Sequence, residues 1–355
     1  MGTKGITLKN IADACGVSPS AVSRILQYDD KRYNEATRQM VRDTARRMKY
    51  RPNLLAQAVR TGKTGVVGIL MRRHGDEADF PPGLVAGINT TFLGAGYQVL
   101  IAGVTQREID RRELPAMITS GLAEGVLTYG FITEPDYLEL LKEAAPLLVT
   151  LEDRCPAGGY CVIFDEYQAG VVAAEHFFTC GYRQVAIIDT SDDVERHRLR
   201  VAGFCDRFRD LWQQKLDIPI FQDYAWSNKA GAAAARQIVA LPKRPEAVMA
   251  INDYFAIHAM MEFQLAGLRV PDDIAIAGIG GEQLFVYPTL SRAHLPKARL
   301  GLLAVQKVLN LLNGKETEEV TKLPIAFEPG LSTRLNASRP AGCFGRKRAE
   351  FQEPA

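Results

Sequence analysis

Very little in this chain suits catalysis or metal binding. Among 355 residues there are five histidines, at 74, 176, 197, 258 and 294, scattered with no pair at metal-ligand spacing. HExxH and GxSxG are absent, and GIGG at 278–281 is not a GxGxxG fingerprint. Gly62-Lys63-Thr64 ends like a phosphate-binding loop, but the glycine required five residues earlier is Gln57 and no strand precedes it. The six cysteines (15, 155, 161, 180, 205, 343) include no CxxC pair, so they read as reduced thiols, with a Cys155–Cys161 bridge as the alternative in an oxidising setting. No apolar run reaches 18 residues and no hydrophobic leader opens the chain; the expectation is a cytoplasmic protein without membrane partner, metal or cofactor.

Charge of one sign is also scarce overall, since the net charge is only +2, but its distribution is uneven. Residues 1–63 hold 13 lysines and arginines against five acids, whereas residues 64–338 hold 26 against 34. A basic head on an acidic body implies division of labour, and a basic head is the electrostatic footprint of nucleic-acid binding. With 47% apolar residues the remainder is ample for a sizeable core of two or three domains.

The head begins with TLKNIADACGVSPSAVSRIL at 7–26. Thr7 can cap a first helix whose Leu8, Ile11 and Ala12 form a buried stripe. Cys15-Gly16-Val17 makes the turn, and Ser18 followed by Pro19 is a strong helix start. Val22, Ile25 and Leu26 hold the second helix down, leaving Pro19, Ser20, Ser23 and Arg24 on its other face. Small polar residues permit close approach to a major groove, and an arginine one turn on can bond a guanine edge twice. The bland alternative is a helical hairpin of an ordinary domain. A third helix spans 35–48, with Met40, Val41, Thr44, Ala45 and Met48 inward and Arg38, Arg42, Arg46 and Arg47 toward solvent or phosphate. Residues 53–60 form a short helical segment or a simple linker.

From Gly65 short apolar runs alternate with amphipathic stretches. Strands are expected at 65–71, 97–104, 125–129, 146–151, 160–164, 184–189, 218–221, 247–251 and 274–279. Helices are expected near 83–94, 108–120, 135–144, 168–180, 194–214, 228–241 and 254–266, with Pro115 awkward inside the second of these. Strict alternation predicts parallel sheets with helices on both faces. The tail 335–355 lacks apolar periodicity and should be disordered.

TLKNIADACGVSPSAVSRIL, followed by RPNLLAQAVRTGKTGVVGIL at 51–70, resembles the start of the LacI/GalR family of bacterial transcriptional regulators, and the order of elements is similar over roughly 6–334. The resemblance implies an all-α helix-turn-helix head on an α/β periplasmic-binding-protein-like core of two doubly wound parallel-sheet subdomains. The head would take 1–51, a hinge 52–63, and the core 64–334. The first subdomain would hold 64–163 and 294–319, the second 164–293 and 320–334. DNA contacts would come from Thr7, Ser18, Pro19, Ser20, Ser23, Arg24, Asn34, Asn53, Ala56 and Val59, with Val59 standing where relatives usually place a leucine wedge. Effector contacts would come from Arg72, Arg73, Asp165, Arg200, Trp226, Asn252 and Glu282 in a cleft at the C-terminal ends of the strands. Each has a plainer alternative: a surface ion pair for Arg200, a helix cap for Asn252, core packing for Trp226.

Two departures from the family pattern stand out. Gly280-Gly281 replaces a pair of aspartates, one of which bonds the ligand in relatives, leaving Glu282 as the nearby acceptor. Arg72 and Arg73 add cations that suit a phosphorylated or acidic sugar, unless they are a solvated basic face. The implied function is a repressor-type regulator: a homodimer on a pseudo-palindromic double-stranded operator, controlled by a carbohydrate in the cleft. The rivals are a cytoplasmic sugar sensor whose head meets a protein partner, and an enzyme acting on sugars.

Overall fold

The computed structural model describes residues 6–28, 30–50, 58, 62–73, 81–130, 134–155, 158–190, 194–223, 230–281 and 285–334. Two compact units result, divided between Thr64 and Gly65.

The first unit contains α1 (Leu8–Cys15), α2 (Pro19–Tyr28) and α3 (Glu35–Arg47). A side-chain oxygen starts each helix. Thr7 Oγ1 accepts from the Asn10 amide while Asn10 Oδ1 accepts from that of Thr7, Ser18 Oγ accepts from Ala21 (3.1 Å), and Asn34 Oδ1 accepts from Thr37 (2.8 Å). Gly16, at φ 65°, ends α1 in the left-handed conformation that glycine adopts without penalty. Ile11, Ala12, Val22, Ile25, Val41 and Ala45 close the core. Two expected faces fail here, Met40 as inward and Ser23 as outward. Met40 is 42% exposed, because the buried stripe of α3 is Val41, Thr44 and Ala45, one position round. Ser23 is only 4% exposed, since α2 packs on both α1 and α3 and so buries a wider arc than one stripe.

In the second unit one sheet has the order β11-β5-β4-β3-β1-β2, built from β1 (Val66–Arg72), β2 (Gln98–Val104), β3 (Gly125–Tyr129), β4 (Leu148–Leu151), β5 (Tyr160–Phe164) and β11 (Val320–Leu323). The other has the order β12-β10-β9-β8-β6-β7, from β6 (Val185–Thr190), β7 (Ile220–Asp223), β8 (Ala247–Ala250), β9 (Ala275–Gly280), β10 (Ser291–His294) and β12 (Ala326–Glu328). Every pairing is parallel except β10 with β12. The expected helix 108–120 breaks into α5 (Gln106–Asp110) and α6 (Ala116–Thr119), with Pro115 capping the second piece. The remaining helices are α4 (Pro82–Gly94), α7 (Pro135–Ala144), α8 (Glu166–Cys180), α9 (Glu195–Trp212), α10 (Ala230–Val239), α11 (Asp253–Leu265) and α12 (Lys297–Leu312).

The assignment of 320–334 to the second lobe needs correction. Val320–Leu323 pairs with β5 in the first sheet, and only β12 onward joins the second. The chain therefore crosses between lobes three times, after β5, after β10 and after β11. Buried Leu295, Leu323 and Ile325 make one continuous core through the crossings.

Candidate functional site

On the first unit, Ser18, Pro19, Ser20 and Arg24 are exposed along the start of α2, and the Ser18 and Ser20 hydroxyls lie 2.9 Å apart. Thr7 and Asn34 are exposed at the starts of α1 and α3, so all three helix N-termini carry a capped, solvent-facing end. Helix N-termini present amide dipoles that favour phosphate. Ser23, being buried, leaves this surface. Asn53, Ala56 and Val59 lie outside the described residues, as do most of the hinge that holds them and the tail from 335.

In the second unit the charged residues converge where parallel strands end. Beyond β4 come Glu152 and Asp153, beyond β5 Asp165 and Glu166, and beyond β8 Asn252 and Asp253. From the facing helices come Arg196, His197 and Arg200 on α9 and Lys297 at the start of α12. Glu152 holds a left-handed backbone, φ 66°, uncommon for a residue with a side chain.

Helices α8 and α9 determine where Arg200 lies. A Cβ on Gly170 would fall 2.0 Å from the Arg200 carbonyl oxygen, and one on Gly203 2.1 Å from that of Tyr167. Only glycine lets the backbones approach so closely. At this crossing Arg200 Nε donates to Glu166 Oε2 (2.6 Å) and Nη1 to the Ile251 carbonyl (2.9 Å), all buried. Arg196 reaches from the second lobe to the first, with Nη1 3.5 Å from Glu152 and 3.3 Å from Asp153. Burial opposes its charge, but Asp153 and Glu152 outweigh that and push its pKa up.

Burial also dominates the other titrations. It raises Asp153 to about 7 against the opposing Arg196, and Asp253 to about 6 against Arg292 (3.2 Å). His197, 3.7 Å from Asp189, is driven down to about 2 by burial, with Arg200 and Arg196 adding to the effect, and stays neutral.

The residues expected to hold an effector divide. Asn252 uses Oδ1 to cap α11, accepting from Phe255 (2.8 Å), and its buried Nδ2 has no acceptor among the described residues. Asp165 caps α8 and pairs with Lys322 (2.8 Å). Arg72 pairs with Glu134 (3.3 Å) and bonds Gln106, while the stem of Arg73 lies across Gly103, where a Cβ would fall 2.5 Å from Cδ. Arg72 is thus already engaged by acid and amide, while Arg73 lies half-buried along Gly103. Trp226 and Glu282 lie outside the described residues.

Residues 7–53 match the model of bacterial regulatory proteins, lacI family, and residues 174–333 that of a periplasmic binding protein-like domain. The two matches take in more than half of the chain. Over 88% of its length the chain is 25% identical to the HTH-type transcriptional repressor PurR of Photobacterium profundum, covering 93% of that protein. Over 91% it is 25% identical to the ribose operon repressor of Escherichia coli (strain K12), covering 99%. The Lac repressor dimer solved with operator and the anti-inducer ONPF superposes with a TM-score of 0.76 at 22% identity, covering 93% of this chain and 99% of that one. A LacI family regulator from Enterococcus faecium with bound ribose gives 0.66 at 19%, covering 76% and 99%. This chain belongs to the lacI family of bacterial regulatory proteins.

Against the lacI-family pattern, the loss of the aspartate pair at Gly280-Gly281 has a structural counterpart. A Cβ on Gly280 would fall 2.2 Å from Asp253 Oδ2, so the Asp253 carboxylate occupies the space beside β9. Asp253, Glu152, Asp153, Arg196 and Lys297 were missed in the sequence reading. The signal available was position: charged residues directly after apolar runs, LEDR at 151–154 and IND at 251–253.

Proposed function

We propose that the chain is a sequence-specific DNA-binding regulator of the repressor type, acting as a homodimer whose operator affinity is set by a carbohydrate in the cleft of the core. The observation that carries this reading is the first unit: a helix-turn-helix with a capped, small and polar start to α2 and an exposed arginine one turn on. Thr7, Ser18, Pro19, Ser20, Arg24 and Asn34 are the contacts we assign to DNA, with Arg24 as the base reader. The core supplies binding groups at the strand ends, and we read it as binding rather than turning over its ligand. Three of the relatives named above are repressors by name; one of these is a ribose operon repressor, and the Enterococcus faecium regulator was solved with bound ribose.

Dimerisation is supported by apolar side chains left on the surface. Leu100 and Ile101 lie on edge strand β2, Leu93 on α4, and Met261 and Leu265 on α11. Contiguous exposed apolar surface is usually covered by a partner, and we assign these residues to that interface. No described helix is long and apolar enough to cross a membrane.

The test is competition binding of the purified chain to genomic fragments at fixed salt, with a sugar panel. A selected pseudo-palindrome, released or tightened by one sugar, is the expected result. Salt-insensitive binding with no sequence preference removes the DNA-regulator reading, because phosphate contacts impose a steep salt dependence.

A further inference from the structure

The carboxylates at the strand ends leave buried oxygens that no described group satisfies. Glu152 Oε1, Asp153 Oδ2, Glu166 Oε1 and Asp253 Oδ1 accept no hydrogen bond, and Asn252 Nδ2 donates none. All five side chains are more than nine-tenths buried. They form one electrostatic cluster: Arg200 acts on both Asp153 and Asp253, and Glu152 and Glu166 both act on Asp153. Buried polar atoms are normally paired, so four acceptors and a donor gathered at strand ends call for an explanation.

Their chemistry selects the ligand. Each carboxylate already has a cation beside it: Arg196 at Glu152 and Asp153, Arg200 at Glu166, Arg292 at Asp253, with Lys297 3.9 Å from Glu152. An anionic ligand would have to draw one of these cations off its partner and leave a buried carboxylate unpaired. A cationic ligand would add to pairs already balanced. Hydroxyl groups can donate to the remaining lone pairs without disturbing any ion pair, while the Asn252 amide donates to a ring or hydroxyl oxygen.

Resting on the reading of this cleft as the effector site, we infer that the effector is an uncharged polyhydroxylated molecule, held by the free oxygens of Glu152, Asp153, Glu166 and Asp253 and the amide of Asn252, and that sugar phosphates, sugar acids and amino sugars are rejected. Of the two extra cations beyond β1, Arg72 is already engaged by Glu134 and Gln106.

Calorimetric titration of the full chain tests it. The probes are neutral pentoses, hexoses, disaccharides and sugar alcohols, each with its matched phosphate, uronic acid and amino sugar where one exists. A neutral member should bind saturably, and its charged counterparts on the order of a hundredfold more weakly, as burying a charge with no free counter-ion implies. Tighter binding by any charged counterpart overturns the inference, and so does silence across the panel. Asp153→Asn and Asp253→Asn should each weaken the neutral ligand about tenfold. They should also shift the ratio of neutral to uronate affinity toward the anion; a merely structural role would move the melting temperature and leave that ratio unchanged. Operator binding is measured in parallel without sugar. Intact operator selection with a charged ligand preferred defeats the ligand class alone, whereas absent operator selection defeats the regulator reading and leaves the titration to stand.

Discussion

Asp153 sits in an ion pair with Arg196 and yet titrates near 7, because losing water outweighs one guanidinium 3.3 Å away. Its folded pKa lies above the ordinary aspartate value, so the native state binds the proton more tightly than the unfolded chain does. The stability this contributes is present below about pH 4 and is lost as pH rises through 7. Asp253, raised to about 6, behaves alike over a narrower window. His176 and His197, lowered by burial to about 4 and about 2, act in the opposite sense: they favour the fold above the ordinary histidine value and lose that contribution as pH falls. In Asp153→Asn the histidine contribution cancels against wild type. The variant's melting temperature relative to wild type should therefore climb between pH 5 and 8, and a flat difference would mean Asp153 titrates normally. At the head, Arg24→Ala should lose about 1–3 kcal/mol of discrimination between operator and mismatched operator in competition binding, with nonspecific affinity much less changed. Unchanged preference removes Arg24 as a base reader.

At the scale of elements, α8 packs backbone to backbone on α9, and this rests on two glycines whose absent side chains make room for backbone carbonyls. Gly170→Ala should lower unfolding free energy by at least about 1–3 kcal/mol, seen as a lower urea midpoint with unchanged slope, since backbone atoms at 2.0 Å cannot step aside as a side chain can. It should also part Arg200 from Glu166. This crossing shows what the sequence could and could not say. Most of the head was legible, because caps, turn glycine and stripe act within a few residues; Thr7 and Ser18 cap their helices as read, while the Asn34 cap of α3 was passed over. Ser23 was misplaced because its burial depends on two other helices. In the core, strands and helices could be read from periodicity, and Pro115 did break a helix. The second lobe's edge was misjudged because β11 and β12 are short neighbours that pair with different sheets. Arg200 could be picked out as a residue, but its partner Glu166 was passed over. Asp253 could not be seen as the stand-in beside Gly280, because those residues are brought together only by strand order.

At the scale of the whole molecule, the surplus of eight positive charges in residues 1–63 and the acidic core call for different partners, and a regulator must couple them. Coupling is a free energy shared by the two sites. If a bound sugar changes operator affinity by some factor, bound operator must change sugar affinity by the same factor, in the same direction. Arg196 joins the lobes through Glu152 and Asp153, so the sugar must favour one arrangement of those groups over another to shift anything. The expected factor is about 5–150. Titrating the sugar into protein with and without saturating operator, and operator into protein with and without saturating sugar, gives the factor twice at one salt concentration. Equal factors above about five establish that head and core work as one switch. Two factors of one, with both ligands bound, would leave a DNA-binding protein and a sugar-binding protein in the same chain and remove regulation from the reading.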